Sequence, residues 1–122
     1  MNLNLTDEQT LLRDSMAKLF AAESSCERVR LAESTGFDSD LWQQMHIAGI
    51  PFMRVPEATG GLGSSLLDTL LVAEQAGRYL ASAPVAETLV ANRLLALLAT
   101  DTESAALLDR VLAGSVISIA LQ

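Results

Sequence analysis

Apolar positions recur along this chain with a helical period in successive segments, and each segment carries its own start and stop signals. Leu12, Met16, Leu19 and Phe20 follow at steps of four, three and one, which lays them on one stripe of a first helix. The preceding LTDEQ announces that helix. Thr6 as N-cap and Gln9 three positions on make a capping box, and Asp7 and Glu8 sit where the helix dipole favours anions. The polar stretch AAESSCERVRLAESTG is less decided, and continues as helix from about Cys26 to Glu33 until Gly36 ends it.

FDSDLWQQMHIAGI reads as a short helix capped by Asp38, with Leu41, Trp42, Met45 and Ala48 on one face and Gly49 as its C-terminal residue. Pro51 and Pro56 exclude helix from the next stretch, so IPFMRVPEATGG is an extended crossing and a turn. A further helix starts at Ser64 or Ser65 with Asp68 in its first turn, and its pattern turns Leu67, Leu70, Leu71 and Glu74 to one side on the way to Gly77. The next begins at Pro84 and is apolar on nearly every side from Val85 to Ala99, which predicts burial at the centre of a bundle. A last helix, Thr102 to Ala113, carries Leu107, Leu108, Val111 and Leu112 and stops at Gly114. In SVISIAL the period changes: β-branched residues without a helical stripe predict a strand. The expected fold is therefore all-α, an up-and-down bundle of five or six helices over residues 1–114. One orphan β-strand at 115–122 would begin a missing β domain, since a lone strand leaves an unpaired edge.

Composition narrows the function. The 122 residues suffice for one core, and with one Trp, one Tyr and three Phe that core is built from aliphatic residues, which suits helices. Eight basic against fifteen acidic residues, a formal charge of -7, repel phosphate backbones and anionic lipid, so nucleic acid and membrane are not expected partners. The longest apolar-rich run, VAETLVANRLLALLA, is too short and too polar to span a bilayer. Cys26 is the one cysteine, which fits a reduced, cytoplasmic setting, and no secretory signal opens the chain.

The residues offer few candidates for chemistry. Gly60, Gly61 and Gly63 are spaced wrongly for a dinucleotide fingerprint, and no lysine follows them as a phosphate-binding loop of the Walker type requires. The spacing favours a turn that needs positive φ, with an anion met by the first amides of the following helix as the alternative. His46 is the only histidine, and its predicted neighbours Gln43 and Ile50 supply neither a nucleophile nor an orienting carboxylate. One His and one Cys fall short of a transition-metal site. Glu74 and Glu87 lie on apolar helices, where a buried carboxylate with a raised pKa makes a general base; pairing with Arg78 or Arg93, or exposure, is the plainer reading. Cys26, among Ser, Glu and Arg without a base, reads as an inert thiol.

Together, LTDEQTLLRDSMAKLF, FDSDLWQQMHIAGI and VPEATGGLGSSLLDTLLVAEQAGR resemble the N-terminal helical domain of the flavin-dependent acyl-CoA dehydrogenases, and the resemblance runs through LAGSVISIAL. It implies a three-part enzyme in which FAD is held by a middle β domain and a C-terminal helical bundle. That bundle also supplies the glutamate that removes the α-proton of the acyl thioester. No catalytic, cofactor-binding or metal-ligating residue then falls on this chain, which is expected to be inactive alone and not to bind FAD. Its share is one wall of the acyl pocket, with Pro84, Val85 and Thr88 at the tail-facing positions. The implied partners are an acyl-CoA substrate, electron-transfer flavoprotein, and further subunits of a homo- or hetero-oligomer. ASAPVAETLVANRLL departs from the fatty-acid members and is similar to a subgroup with heteromeric enzymes acting on steroid or dicarboxylic acyl-CoA. Two other readings compete: a stand-alone helical binding or assembly module, and a flavin monooxygenase of the same superfold.

Overall fold

In the computed structural model the structure describes residues 3–120, and these contain six α-helices and no strand. The first, α1 (Asp7–Glu23), begins with the capping box read from LTDEQ: the Gln9 amide donates to the Thr6 hydroxyl, and the Gln9 side chain accepts from the Thr6 amide. The next two are α2 (Cys26–Ala32), capped by Ser25, and α3 (Ser39–Ile47), capped by Asp38. Gly49, with φ 78°, then turns the chain into a 3-10 turn over Ile50–Phe52. The long helices α4 (Leu66–Arg78) and α5 (Val85–Leu98) follow, and α6 (Thr102–Leu112) closes the domain.

α1 lies along α4, and α5 packs against α4, α6 and the Ile50–Phe52 turn. The core gathers Phe20 of α1, Leu41, Trp42 and Met45 of α3, Ile50 and Met53 of the crossing, Val72 and Ala76 of α4, and Val85 and Leu89 of α5. Long-range hydrogen bonds tie the ends together. Ser24 Oγ donates to Tyr79 O, the Asp38 amide to Ser82 O, and Trp42 Nε1 to Gly114 O at 2.9 Å.

Three expectations need correction. On α4 the buried side carries Thr69, Leu71, Val72, Gln75 and Ala76, while Leu67 and Leu70 are about half exposed and Glu74 faces solvent. Two overlapping stripes compete on this leucine-rich helix. The one with the smaller residues faces the core, and Thr69 is buried at little cost because its hydroxyl donates to backbone carbonyls one turn back. α5 is not enclosed: it buries Val85, Thr88, Leu89, Ala91 and Asn92 but exposes Val90, Leu94, Leu97 and Leu98. The neighbours named above cover one side, and no described element covers the other. The expected strand is absent over 115–120, because a strand exists only with a ladder and no described segment offers one; Leu121 and Gln122 lie outside the described residues.

Candidate functional site

The glycine loop is a self-contained turn. The amides of Gly60, Gly61, Leu62, Gly63 and Ser64 donate to the carbonyls of Glu57, Pro56, Phe52, Val55 and Met53, so none is left to face a phosphate. The start of α4 is likewise occupied. Ser65 and Asp68 form a reciprocal capping box, with Asp68 accepting from the Ser65 amide and hydroxyl. The Ser65 hydroxyl is the main cause of an Asp68 carboxyl held below the usual range. A helix terminus that already holds its own carboxylate has no vacancy for a diphosphate. These residues do not fit a flavin or nucleotide.

The titratable candidates are scattered. His46 Nε2 lies 3.0 Å from Leu112 O, and its ring meets Phe52 edge-on, so the histidine fastens α3 to the end of α6. Glu74, Glu87 and Cys26 are exposed. Among the described residues neither glutamate forms an ion pair: Arg78 lies over the Tyr79 ring, and Arg93 Nη1 donates to Arg54 O at 3.0 Å. No group of His, Cys, Asp and Glu among the described residues could hold a metal ion.

A cluster of charged residues lines a depression of about 250 Å³ beside α2 and the start of α3. Arg28 of α2 reaches Glu23 at 2.7 Å and binds both oxygens of Asp38, at 2.7 and 2.9 Å. The guanidinium holds the Asp38 carboxyl below its ordinary range, and the amides of Leu41 and Asp40 add to this. This clamp joins α1, α2 and α3 and is structural. Local pattern identifies Asp38 as a cap but is silent on its partner, which lies ten positions away.

What the surface does offer is apolar relief beside α5. One groove, about 470 Å³, runs between α5 and the stretch after Gly114 and is lined by Ala86, Glu87, Val90, Leu94, Ser118 and Ile119. A second, about 260 Å³, lies between α4 and α5 and ends at Arg54 and Arg93. Of the three residues expected at a pocket wall, Pro84 is half-buried at the start of α5. Val85 is 6% exposed in the core, and Thr88 is 1% exposed with a hydroxyl that meets no partner among the described residues. The sequence reading did not single out Ala86, Val90 and Leu94. Their signal was available in a helix with more apolar faces than one neighbour can cover.

The chain matches the family model described as "Acyl-CoA dehydrogenase, N-terminal domain" over residues 6–115. It is 33% identical over 114 residues to acyl-CoA dehydrogenase IpdE2 of Mycobacterium tuberculosis, covering 91% of this chain and 35% of that protein. It is 30% identical over 101 residues to benzylmalonyl-CoA dehydrogenase of Aromatoleum aromaticum, covering 80% and 27%. Among solved structures, the Tcur3481-Tcur3483 steroid ACAD G363A variant superposes with a TM-score of 0.76 at 32% identity, over 89% of this chain and 30% of that one. The ChsE4-ChsE5 complex from Mycobacterium tuberculosis superposes with a TM-score of 0.77 at 27% identity, over 93% and 30%. The chain thus spans roughly a third of the curated relatives it matches, 35% and 27% of their lengths. No helix among the described residues is long and apolar enough to cross a membrane.

Proposed function

Since this chain belongs to the acyl-CoA dehydrogenase family, as its N-terminal domain, we propose that it forms one wall of the acyl pocket in an FAD-dependent enzyme that removes hydrogen from the α and β carbons of an acyl-CoA thioester. The observation that carries this reading is the open apolar groove along α5, in a domain whose described residues assemble no nucleophile with a base. Ala86, Val90 and Leu94 present the wall. Pro84 starts the helix, and Val85 and Thr88, buried behind it, set its position.

FAD and the catalytic glutamate belong, on this reading, to the portions that the chain does not span, and FAD supplies the acceptor for the β-hydrogen. The residues here exclude water around that chemistry, and the fragment alone is inactive and free of flavin. Gly114 ends the helical domain and Ser115 leads toward the middle β domain. The relatives' names point to bulky acyl groups, a steroid in one and benzylmalonyl in another. Glu87 at the groove favours a neutral ring over an acyl group that ends in a second carboxylate. Two of the solved neighbours are named as pairs of gene products, which supports a hetero-oligomer. Electron-transfer flavoprotein is the proposed acceptor, and the exposed free thiol of Cys26 fits a reduced cytoplasm.

The test is a chimera in which residues 6–115 replace the matched segment of IpdE2. It should purify yellow and be bleached anaerobically by a bulky acyl-CoA. A folded, FAD-loaded chimera that no acyl-CoA reduces would overturn the proposal.

A further inference from the structure

We propose that Trp42 and His46 form a clamp that aims the chain as it leaves α6, and that this clamp sets the width of the groove between α5 and residues 118–119. Both are positioning residues, since neither lines the groove. The consequence for an acyl group rests on the reading of that groove as the acyl pocket.

The clamp is built from one face of α3. Positions 42 and 46 stand one turn apart on that helix, so their side chains leave it in the same direction. Trp42 Nε1 donates to Gly114 O at 2.9 Å, and His46 Nε2 donates to Leu112 O at 3.0 Å. A carbonyl only accepts, so the imidazole carries a proton on Nε2. Both acceptors lie at the end of α6, where the last carbonyls find no partner within the helix. The two donors are held stiffly. Trp42 is buried in the core with Phe37 beside its ring, and the His46 ring meets Phe52 edge-on with 4.9 Å between centroids. A Cβ added at Gly114 would stand 3.4 Å from His46 Nε2, so the departing chain passes directly against the imidazole.

Beyond this point little else guides the chain. The Ser115 amide donates to Arg110 O at 3.1 Å, and among the described residues no backbone hydrogen bond is made by residues 116–120. Yet Ser118 and Ile119 of this segment form one side of the groove, opposite Ala86, Val90 and Leu94 of α5. That opposite side is fixed independently: α5 packs on α4, α6 and the Ile50–Phe52 turn, and Asn92 Nδ2 donates to Pro51 O at 2.8 Å. One wall is therefore anchored by the core, and the other hangs from the clamp at its root. An extended chain advances about 3.3 Å per residue, so a rotation at Gly114 grows into a displacement at Ser118 and Ile119. Losing either donor leaves a terminal carbonyl of α6 without its partner and lets the outer wall swing.

The test has two arms. In the 122-residue chain, Cys26→Ser removes the native thiol, and nitroxide labels on Glu87→Cys and Ser118→Cys report the distance across the groove by electron paramagnetic resonance. The proposal predicts one narrow distance in the labelled chain, a broad distribution once His46→Leu is added, and a return to the narrow one with His46→Gln, whose amide restores a donor near the Nε2 position. Should His46→Leu fail to fold by circular dichroism, Trp42→Phe takes its place, because a phenyl ring keeps the packing and removes the donor. In the IpdE2 chimera, His46→Leu should raise the KM for a steroid acyl-CoA roughly fivefold with kcat unchanged, and leave a short acyl-CoA unaffected. The same distance distribution with and without the donor, or a broad one in the labelled chain itself, would overturn the clamp. An equal loss for both acyl-CoA substrates would reduce it to a general support of the fold and overturn its part in fitting the acyl group. A chimera that no acyl-CoA reduces counts against the pocket reading alone, and the distance across the groove still decides the clamp.

Discussion

Replacing Gly61 by alanine tests whether the glycine loop is a turn built for close approach. A Cβ at this position would fall inside the van der Waals envelope of the Val55 carbonyl carbon, its oxygen and the Val55 Cβ. Val55 cannot yield easily: it is fully buried, and its carbonyl accepts from the Gly63 amide at 2.9 Å. Moving the loop instead strains the neighbouring bonds from Leu62 to Phe52 and from Ser64 to Met53, at 3.1 and 2.7 Å. Overpacking costs about 1–3 kcal/mol, and one or two weakened hydrogen bonds add about 1 kcal/mol each. The expected destabilisation is therefore about 2–5 kcal/mol. Gly77 is the control, because it sits in α4 with nothing within 4 Å of an added Cβ. There alanine should stabilise by about 0.5 kcal/mol through helix propensity and the unfolded chain. Urea unfolding followed by the fluorescence of Trp42, buried in the core, reads both. With a slope of about 1.5–2 kcal/mol per molar for a domain of this size, the Gly61→Ala midpoint falls by about 2 M, while that of Gly77→Ala rises slightly. A Gly61→Ala midpoint within about 0.3 M of the parent would refute the close-approach account of the loop.

Two further outcomes follow from the interior bonds. Asp38→Asn keeps an oxygen to cap α3 but removes the charge beside Arg28, so it should cost about 1–3 kcal/mol at pH 7. The folded-state pKa of Asp38 is lowered, so its contribution is complete above the unfolded value of about 3.9 and disappears as pH falls through the folded value. Parent and variant melts should therefore converge as pH falls below the ordinary carboxylate range and through the lowered folded value, and a gap that widens on acidification would contradict the ion pair. Trp42→Phe removes the Nε1 bond to Gly114 O, and should cost about 1–2 kcal/mol. It should also speed hydrogen exchange at the end of α6, and unchanged exchange there would show that the bond does not hold the terminus.

The helix starts were legible in the sequence because a cap is a local device. Thr6 with Gln9, Asp38, and Ser65 with Asp68 each stand within three residues of the amides they serve. The end of α3 at Gly49 was legible for the same reason. Which way α4 faces was not, because Leu67 and Leu70 compete with Val72 and Ala76, and packing against α1 and α5 decides between them. Burial of α5 was overestimated, since an all-apolar helix looks the same whether its cover is inside the domain or comes from elsewhere. The bonds from Trp42 to Gly114 and from Asn92 to Pro51 join positions 72 and 41 apart, which no periodicity encodes. For the candidate site, the motifs led to the family, while neighbours in sequence differ in face: Thr88 is buried, Ala86 and Glu87 line the groove, and the largely buried Val85 borders a depression shared with them.

The central claim, that this domain walls the acyl pocket along the outer face of α5, is tested most directly by Glu87→Trp in the IpdE2 chimera. Glu87 lines the groove beside Ile119 and takes no part in the Arg54–Arg93 groove. The account predicts an unchanged flavin content, an unchanged kcat/KM for a short acyl-CoA, and a fall of at least about tenfold for a steroid acyl-CoA, since an indole fills space that the ring system needs. Equal values for the two substrates in the parent and variant chimeras would show that the pocket lies elsewhere.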